Sequence, residues 1–290
     1  MGPLDLVNLT PLMERTSGRA EIKVGLIDGP VAMDHPDLVT RNIQEVLGSA
    51  CSRASSVACL HGTFVAGMLC AKRGSVAPAI CPGCTLLVRP IFAETASASG
   101  DMPSAMPEEL AAAIIEVVNA GVRLINLSAA LAQPSSKGER ELEEALSYAA
   151  RYNVIIVAAA GNQGTVGSSA ITCHPWVIPV VGCDLHGSPT PQSNLGSSIG
   201  RHGLSAPGKN IASLRPGGKS GTFDGTSAAA PFVTGAIALL WSEFPNASAT
   251  GVKLAISPHS PQRRNSVVPP LLNAWAAYQV MALEYGKEAS

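Results

Sequence analysis

Asp224-Gly225-Thr226-Ser227-Ala228-Ala229-Ala230-Pro231 leads from a small-residue turn into an apolar helix that continues through Phe232, Val233, Ala236, Ile237, Leu239, Leu240 and Trp241. That much apolar surface predicts a helix buried nearly all round. Ser227 sits at its start, where backbone N–H groups lack intrahelical acceptors and the helix dipole is positive. The field there favours an anion beside the hydroxyl. A serine hydroxyl is a weak nucleophile until a base takes its proton, so a partner must come from elsewhere in the chain.

Two upstream segments offer one. Residues 22–27 read as a short buried strand that ends at Asp28-Gly29. His61-Gly62-Thr63 opens a second small-residue helix through Phe64, Val65, Ala66, Gly67, Met68 and Leu69, expected to end in the basic turn Lys72-Arg73-Gly74. Further apolar strands are expected at 86–92, 122–127, 154–158 and 177–182, with amphipathic helices from Glu108 to Val118 and over 138–152. Strands alternating with helices argue an α/β fold, a mainly parallel sheet with helices on both faces. Chemistry in such sheets sits at the carboxyl ends of the strands, where Asp28, Ser128 and Asn162 fall. Residues 93–103 read as a cleft-lining loop and 189–219 as turn-rich with short β character. A closing helix is expected around 271–285.

Of 290 residues, 46% are hydrophobic and 14% charged, enough for a sizeable core. A net charge of −1 argues against nucleic acid as a partner. No repeat or linker divides the chain. The expectation is an amphipathic segment at 1–20, built on Leu4, Leu6, Val7, Leu9, Leu12 and Met13, packed on one catalytic domain at 21–290. No apolar run reaches the roughly 18 residues of a membrane span, and the N-terminus has no basic start with a continuous apolar run. A cytoplasmic monomer without a membrane partner is therefore expected. Seven cysteines leave at least one unpaired. Cys81-Pro82-Gly83-Cys84 admits zinc, a loop disulfide or, the preferred reading, plain reduced thiols; Cys51 and Cys59 are the other plausible pair.

Taken singly, each polar residue has a plain reading as a turn, cap or helix-start residue. Together they follow the order Asp, His, Ser of the subtilisin triad. The segments Leu26-Ile27-Asp28-Gly29, His61-Gly62-Thr63-Phe64-Val65-Ala66-Gly67, Ala160-Gly161-Asn162 and Gly225-Thr226-Ser227-Ala228-Ala229-Ala230-Pro231 resemble the signatures of subtilisin-like serine proteases. The resemblance spans roughly residues 20 to 245 and implies a three-layer subtilisin-like fold. It implies Asp28, His61 and Ser227 as catalytic residues, Asn162 as the oxyanion-hole side chain and the Ser227 N–H as second donor. By the same resemblance Ser128, Ala129, Ala130, Ala159, Ala160 and Gly161 bind substrate backbone, and Cys173 falls near the floor of the first specificity pocket, with His174 beside it.

Leu26-Ile27-Asp28-Gly29-Pro30-Val31, Arg89-Pro90-Ile91-Phe92-Ala93-Glu94 and Ala206-Pro207-Gly208-Lys209-Asn210-Ile211 look like the proteases that mature cyanobactins, small ribosomally made peptides. In that group one enzyme cuts leader peptides, and a ring-closing relative carries a helical cap between the Asp and His motifs. Only residues 29–60 lie between Asp28 and His61, which favours plain proteolysis. A general intracellular protease, a macrocyclising transpeptidase and a silent peptide-binding module are the alternatives. Many secreted subtilisins bind calcium in a loop after the histidine helix; residues 71–77 are short and carry no acid. No metal or cofactor is expected, and Asp34 and Asp37 read as solvated loop carboxylates.

Overall fold

The computed structural model describes residues 2–48, 50–94, 105–128, 139–257 and 266–286. Helices α1 (Pro3–Leu6) and α2 (Thr10–Arg15) precede strand β1 (Lys23–Asp28), edge strand β2 (Ile43–Glu45), α3 (Val57–Cys70), β3 (Thr85–Pro90) and α4 (Pro107–Asn119). Then follow β4 (Leu124–Leu127), α5 (Glu139–Arg151), β5 (Ile155–Ala159), α6 (Ala170–Cys173), β6 (Val177–Cys183), α7 (Ser197–His202) and β7 (Leu204–Pro207). A hairpin of β8 (Ile211–Arg215) and β9 (Lys219–Phe223) leads to α8 (Thr226–Glu243), α9 (Ala249–Ile256) and α10 (Ala274–Tyr285).

The strands pair in the order β2-β3-β1-β4-β5-β6-β7, every pair parallel. Their side chains alternate between two cores. Val24, Leu26, Leu86, Val88, Leu124, Ile155, Val157, Ile178 and Val180 face α3 and α8. Ile27, Leu87, Ile125, Leu127, Ile156 and Ala158 face α4 and α5. Burial on both faces is why these strands read as continuous apolar runs, and it makes three layers. Every residue of α8 from Ala228 to Ser242 is buried, as its composition predicts. Val7, Leu9 and Leu12 of the N-terminal segment are fully buried in the α3–α8 core. Among the described residues no helix is long and apolar enough to cross a membrane.

Two local expectations are corrected. His61 does not open its helix: α3 starts at Val57, where the Ser56 hydroxyl accepts the Cys59 N–H at 3.1 Å and caps the first turn. Nor does α3 end in a basic turn. It stops at Cys70, and the two cations leave it: Lys72 Nζ donates to the Pro36 carbonyl at 2.5 Å, and Arg73 donates to the carbonyls of Met13, Thr16 and Ile80. The short β character read in the late region is present as β7, which extends the sheet, and as the hairpin β8–β9. The expected loop at 93–103 lies outside the described residues beyond Glu94. Cys51 and Cys59 form a disulfide, while Cys81 and Cys84 are buried free thiols.

Candidate active site

Asp28 is the last residue of β1 and is fully buried. Its Oδ1 accepts the Gly29 N–H at 2.6 Å and faces His61 Nδ1 at 2.6 Å. A carboxylate acceptor requires the proton on Nδ1, which leaves Nε2 as the basic nitrogen. The short distance follows from the backbone. A Cβ on Gly29 would lie 2.0 Å from the Ala58 carbonyl oxygen, and one on Gly62 would lie 2.2 Å from that of Gly29. The strand end and the helix touch where neither residue has a side chain.

Ser227 is the second residue of α8 and half-buried. Its Oγ donates to the Ser128 carbonyl at 3.1 Å, and among the described residues no hydrogen bond joins it to His61. The Ser128 N–H donates in turn to the carbonyl of Ile27, at 3.4 Å, next to Asp28. The hydroxyl is thus tethered to the end of β4, which is bonded in turn to the neighbouring strand that carries Asp28. Phe223, four residues before Ser227, closes the other side: its ring stands edge-on to His61 at 5.8 Å and 89°. Pro231 removes the N–H that would bond the Ser227 carbonyl within α8.

Asn162 lies beyond β5, after Ala159, Ala160 and Gly161. Its Oδ1 accepts the Thr226 N–H at 2.9 Å and the Thr226 hydroxyl at 3.1 Å, which leaves the amide N–H groups free to donate. The Thr226 Oγ1 also accepts the Gly161 N–H at 3.2 Å. Thr226 therefore ties the Asn162 loop to the start of α8. From the other side Asn194 Oδ1 accepts the N–H groups of Gln163 and Thr165 at 3.0 and 3.2 Å. Its Nδ2 donates to the Ala160 carbonyl at 3.3 Å.

Beneath Ser128 runs a buried polar chain. Thr234 of α8 donates its hydroxyl to Asn126 Oδ1 at 2.8 Å, and Asn126 Nδ2 donates to Ser128 Oγ at 2.7 Å. The structure thus brings together Asp28, His61, Ser227, Ser128, Asn162 and the Ala159–Gly161 stretch. Ala129 and Ala130 lie outside the described residues. Cys173 is an exposed free thiol at the end of α6, with its sulfur 4.0 Å from Ser198 Oγ. Burial and the neighbouring Lys253 charge push the pKa of His174 down, against an opposing pull from Glu143. Thr226, Asn194, Asn126, Thr234 and Phe223 were not singled out from the sequence; their partners lie far along the chain, and no local period signals them.

The Glu94 carboxylate organises the loop before α3. It accepts from the Ser52 N–H and hydroxyl at 2.9 and 2.6 Å, the Arg53 N–H at 2.9 Å and the Ser56 hydroxyl at 3.2 Å. Burial pushes its pKa up, but these bonds outweigh it and hold the group below the ordinary carboxylate value. Among the described residues, Glu94 with Cys51 and Cys59 is the one close group of three metal-donor side chains. The two sulfurs are bonded to each other and have no thiolate to offer a metal.

Among known proteins, subtilisin amylosacchariticus of Bacillus subtilis subsp. amylosacchariticus is 29% identical over 228 residues, covering 78% of this chain and 57% of that one. The chain thus spans little more than half the length of that relative. Subtilisin DY of Bacillus licheniformis is 30% identical over 244 residues, 82% of this chain and 83% of its own. Among solved structures, a mutant of the protease domain of PatA superposes with a TM-score of 0.80 at 31% identity, covering 93% of this chain and 97% of that one. The prenylagaramide maturation protease PagA gives 0.81 at 28% identity, covering 94% and 98%. The PatG macrocyclase domain, at 21% identity, TM-score 0.77 and coverage of 94% and 95%, shares the fold. The profile of Peptidase_S8, the subtilase family, matches residues 19–263. With that match across most of its length, the chain belongs to the subtilase family.

Proposed function

We propose that this protein is a serine endopeptidase that removes the leader from a ribosomally made precursor peptide. The observation that carries the chemistry is the buried Asp28–His61 contact of 2.6 Å, with the Ser227 hydroxyl anchored on Ser128 beside it. His61 Nε2 takes the Ser227 proton as Oγ attacks the peptide carbonyl. Asp28 keeps the proton on Nδ1 and stabilises the imidazolium. The Asn162 amide and the Ser227 N–H donate to the developing oxyanion. His61 returns the proton to the departing amine, and water then cleaves the acyl-enzyme by the same route.

Maturation rather than general proteolysis is supported by the likeness to PagA, a maturation protease, and to the protease domain of PatA. Between β1 and α3 the described residues hold a 3-10 turn at Thr40–Asn42 and the edge strand β2, and no capping helix. That supports hydrolysis over ring closure, since water reaches an uncapped site. The test is covalent labelling with a fluorophosphonate probe, followed by digestion of casein and of a leader-bearing precursor peptide. Labelling that disappears in Ser227→Ala, with cuts in the precursor but not in casein, is the expected result. Unlabelled wild-type protein would rule out the enzyme in favour of a binding module. Efficient casein digestion would favour a general protease, and a cyclic product a transpeptidase.

A further inference from the structure

Arg215 ends β8 on the face of the hairpin that meets α3. Ser213, two residues earlier, uses that face to donate to the Phe64 carbonyl at 2.7 Å. Phe223 packs there on the Phe64 ring at 4.9 Å and stands edge-on to His61. The Arg215 guanidinium carbon lies 5.5 Å from the centre of the Phe223 ring. Its side chain crosses Gly221 so closely that a Cβ there would fall 2.3 Å from Nε. The hairpin leaves out a side chain at 221 where the arginine lies.

The cation in this position lacks a counter-charge. Arg215 Nε is buried without a hydrogen bond, and among the described residues no acidic group pairs with it. A buried donor left unsatisfied loses the hydrogen bonds it makes to water in the unfolded chain. A guanidinium is also a planar fork of five donors, matched in shape to a carboxylate. Among the described residues nothing satisfies the Arg215 Nε. His61 gives its proton to the departing amine, so the departing segment leaves past the imidazole; Phe223 stands edge-on to that imidazole, and Arg215 lies over Phe223.

We propose that Arg215 reads a carboxylate, an Asp or Glu side chain of the substrate on the departing side of the scissile bond. The proposal rests on the serine endopeptidase reading, and it adds a specificity-determining residue to it. A carboxylate docked on the guanidinium gains a two-pronged charged hydrogen bond. The Phe223 ring supports the guanidinium, whose central carbon lies over it.

Peptides matched except for Asp or Glu against Asn or Gln at each of the first three departing positions test this. Binding is measured on the Ser227→Ala background, independent of turnover, and kcat/KM on the active protein. The acidic peptide is expected to be favoured by about tenfold or more at one position, the worth of a hydrogen bond to a charged group. The ratio should fall to about one in Arg215→Leu, survive in part in Arg215→Lys, and shrink as salt is raised. Equal ratios in wild type and Arg215→Leu, no acid preference at any departing position, or a preference confined to the acyl side would overturn the assignment. Should Arg215→Leu fail to fold, the Arg215→Lys ratio and the salt dependence of the wild type decide. Fluorophosphonate labelling of the same samples separates the two readings. Labelling without acid preference removes Arg215 alone, whereas acid-selective binding without labelling removes catalysis and leaves Arg215 in place.

Discussion

Ser227 donates its hydroxyl hydrogen to the main-chain oxygen of Ser128, 3.1 Å away, rather than to His61. The nucleophile of the proposed mechanism is therefore parked on the backbone just after β4, the strand that pairs with the one ending at Asp28. Whatever holds Ser128 in place sets where that hydroxyl rests. The buried chain Thr234–Asn126–Ser128 is what holds it.

Removing the first link should be felt in stability. Thr234→Val deletes the hydroxyl with little change of volume and leaves the buried Asn126 oxygen without its donor. The expected loss is about 1–3 kcal/mol, read from urea unfolding. Ser128→Ala should cost a similar amount, and the double variant less than the sum, because both act on one Asn126 amide. Strict additivity would contradict a connected chain.

The oxyanion assignment makes a kinetic prediction. Asn162→Ala should lower kcat by about 10²–10³-fold, roughly 3–4 kcal/mol of barrier, with KM changed little. Thr226→Val removes the hydroxyl that fixes Asn162 Oδ1 and should show the same signature at smaller size. A rise in KM at constant kcat would instead assign Asn162 to ground-state binding. Steady-state kinetics on one cleavable peptide distinguish the two.

Glu94 predicts a response to acid. Its folded pKa lies below the unfolded value near the ordinary 4.5, so the unfolded chain binds more protons in between. The stabilisation from its cap on Ser52, Arg53 and Ser56 is then complete above that unfolded value. It fades as pH falls through the lowered folded value. Unfolding titrations of wild type and Glu94→Gln should diverge above pH 4.5 and converge below it. Curves that stay parallel throughout would mean that the carboxylate charge contributes nothing.

The Cys51–Cys59 bridge closes a loop with a sequence separation of 8 and anchors the first turn of the helix that carries His61. Chain entropy alone assigns it about 2–3 kcal/mol. The Cys51→Ser/Cys59→Ser variant should melt several degrees lower, and a thiol reductant should move wild type towards that value. Melting points that coincide with and without reductant would show that the bridge is not what stabilises this end of α3.

The three-layer architecture is legible in the sequence because its signals are local. A strand buried on both faces shows as an unbroken apolar run, as at Ile155–Ala159. Gly beside Asp28 and Gly beside His61 mark where two backbones touch. The supports of the site were not legible. The bonds from Thr226 to Asn162 and from Thr234 to Asn126 span 64 and 108 residues, and nothing near either threonine announces its partner. The start of α3 was missed because its first turn, Val57 to Leu60, is apolar like any strand, and its cap is one serine in a polar loop. The basic turn expected after it failed because Arg73 is drawn away to carbonyls of the N-terminal segment and Ile80.

The family match runs from residue 19 to 263, but the packing does not stop there. Val7, Leu9 and Leu12 lie on one side of that window and Leu272, Ala274, Ala277 and Met281 on the other, all in the same core. The two flanks also meet each other, the Ala274 N–H donating to the Val7 carbonyl at 2.9 Å. A fragment cut at the homology borders would strip away a clasp made jointly by its head and tail. Each large apolar side chain lost with it forfeits about 1.5–3 kcal/mol. A stable piece of this protein should therefore extend on both sides of the residues that the family profile matches.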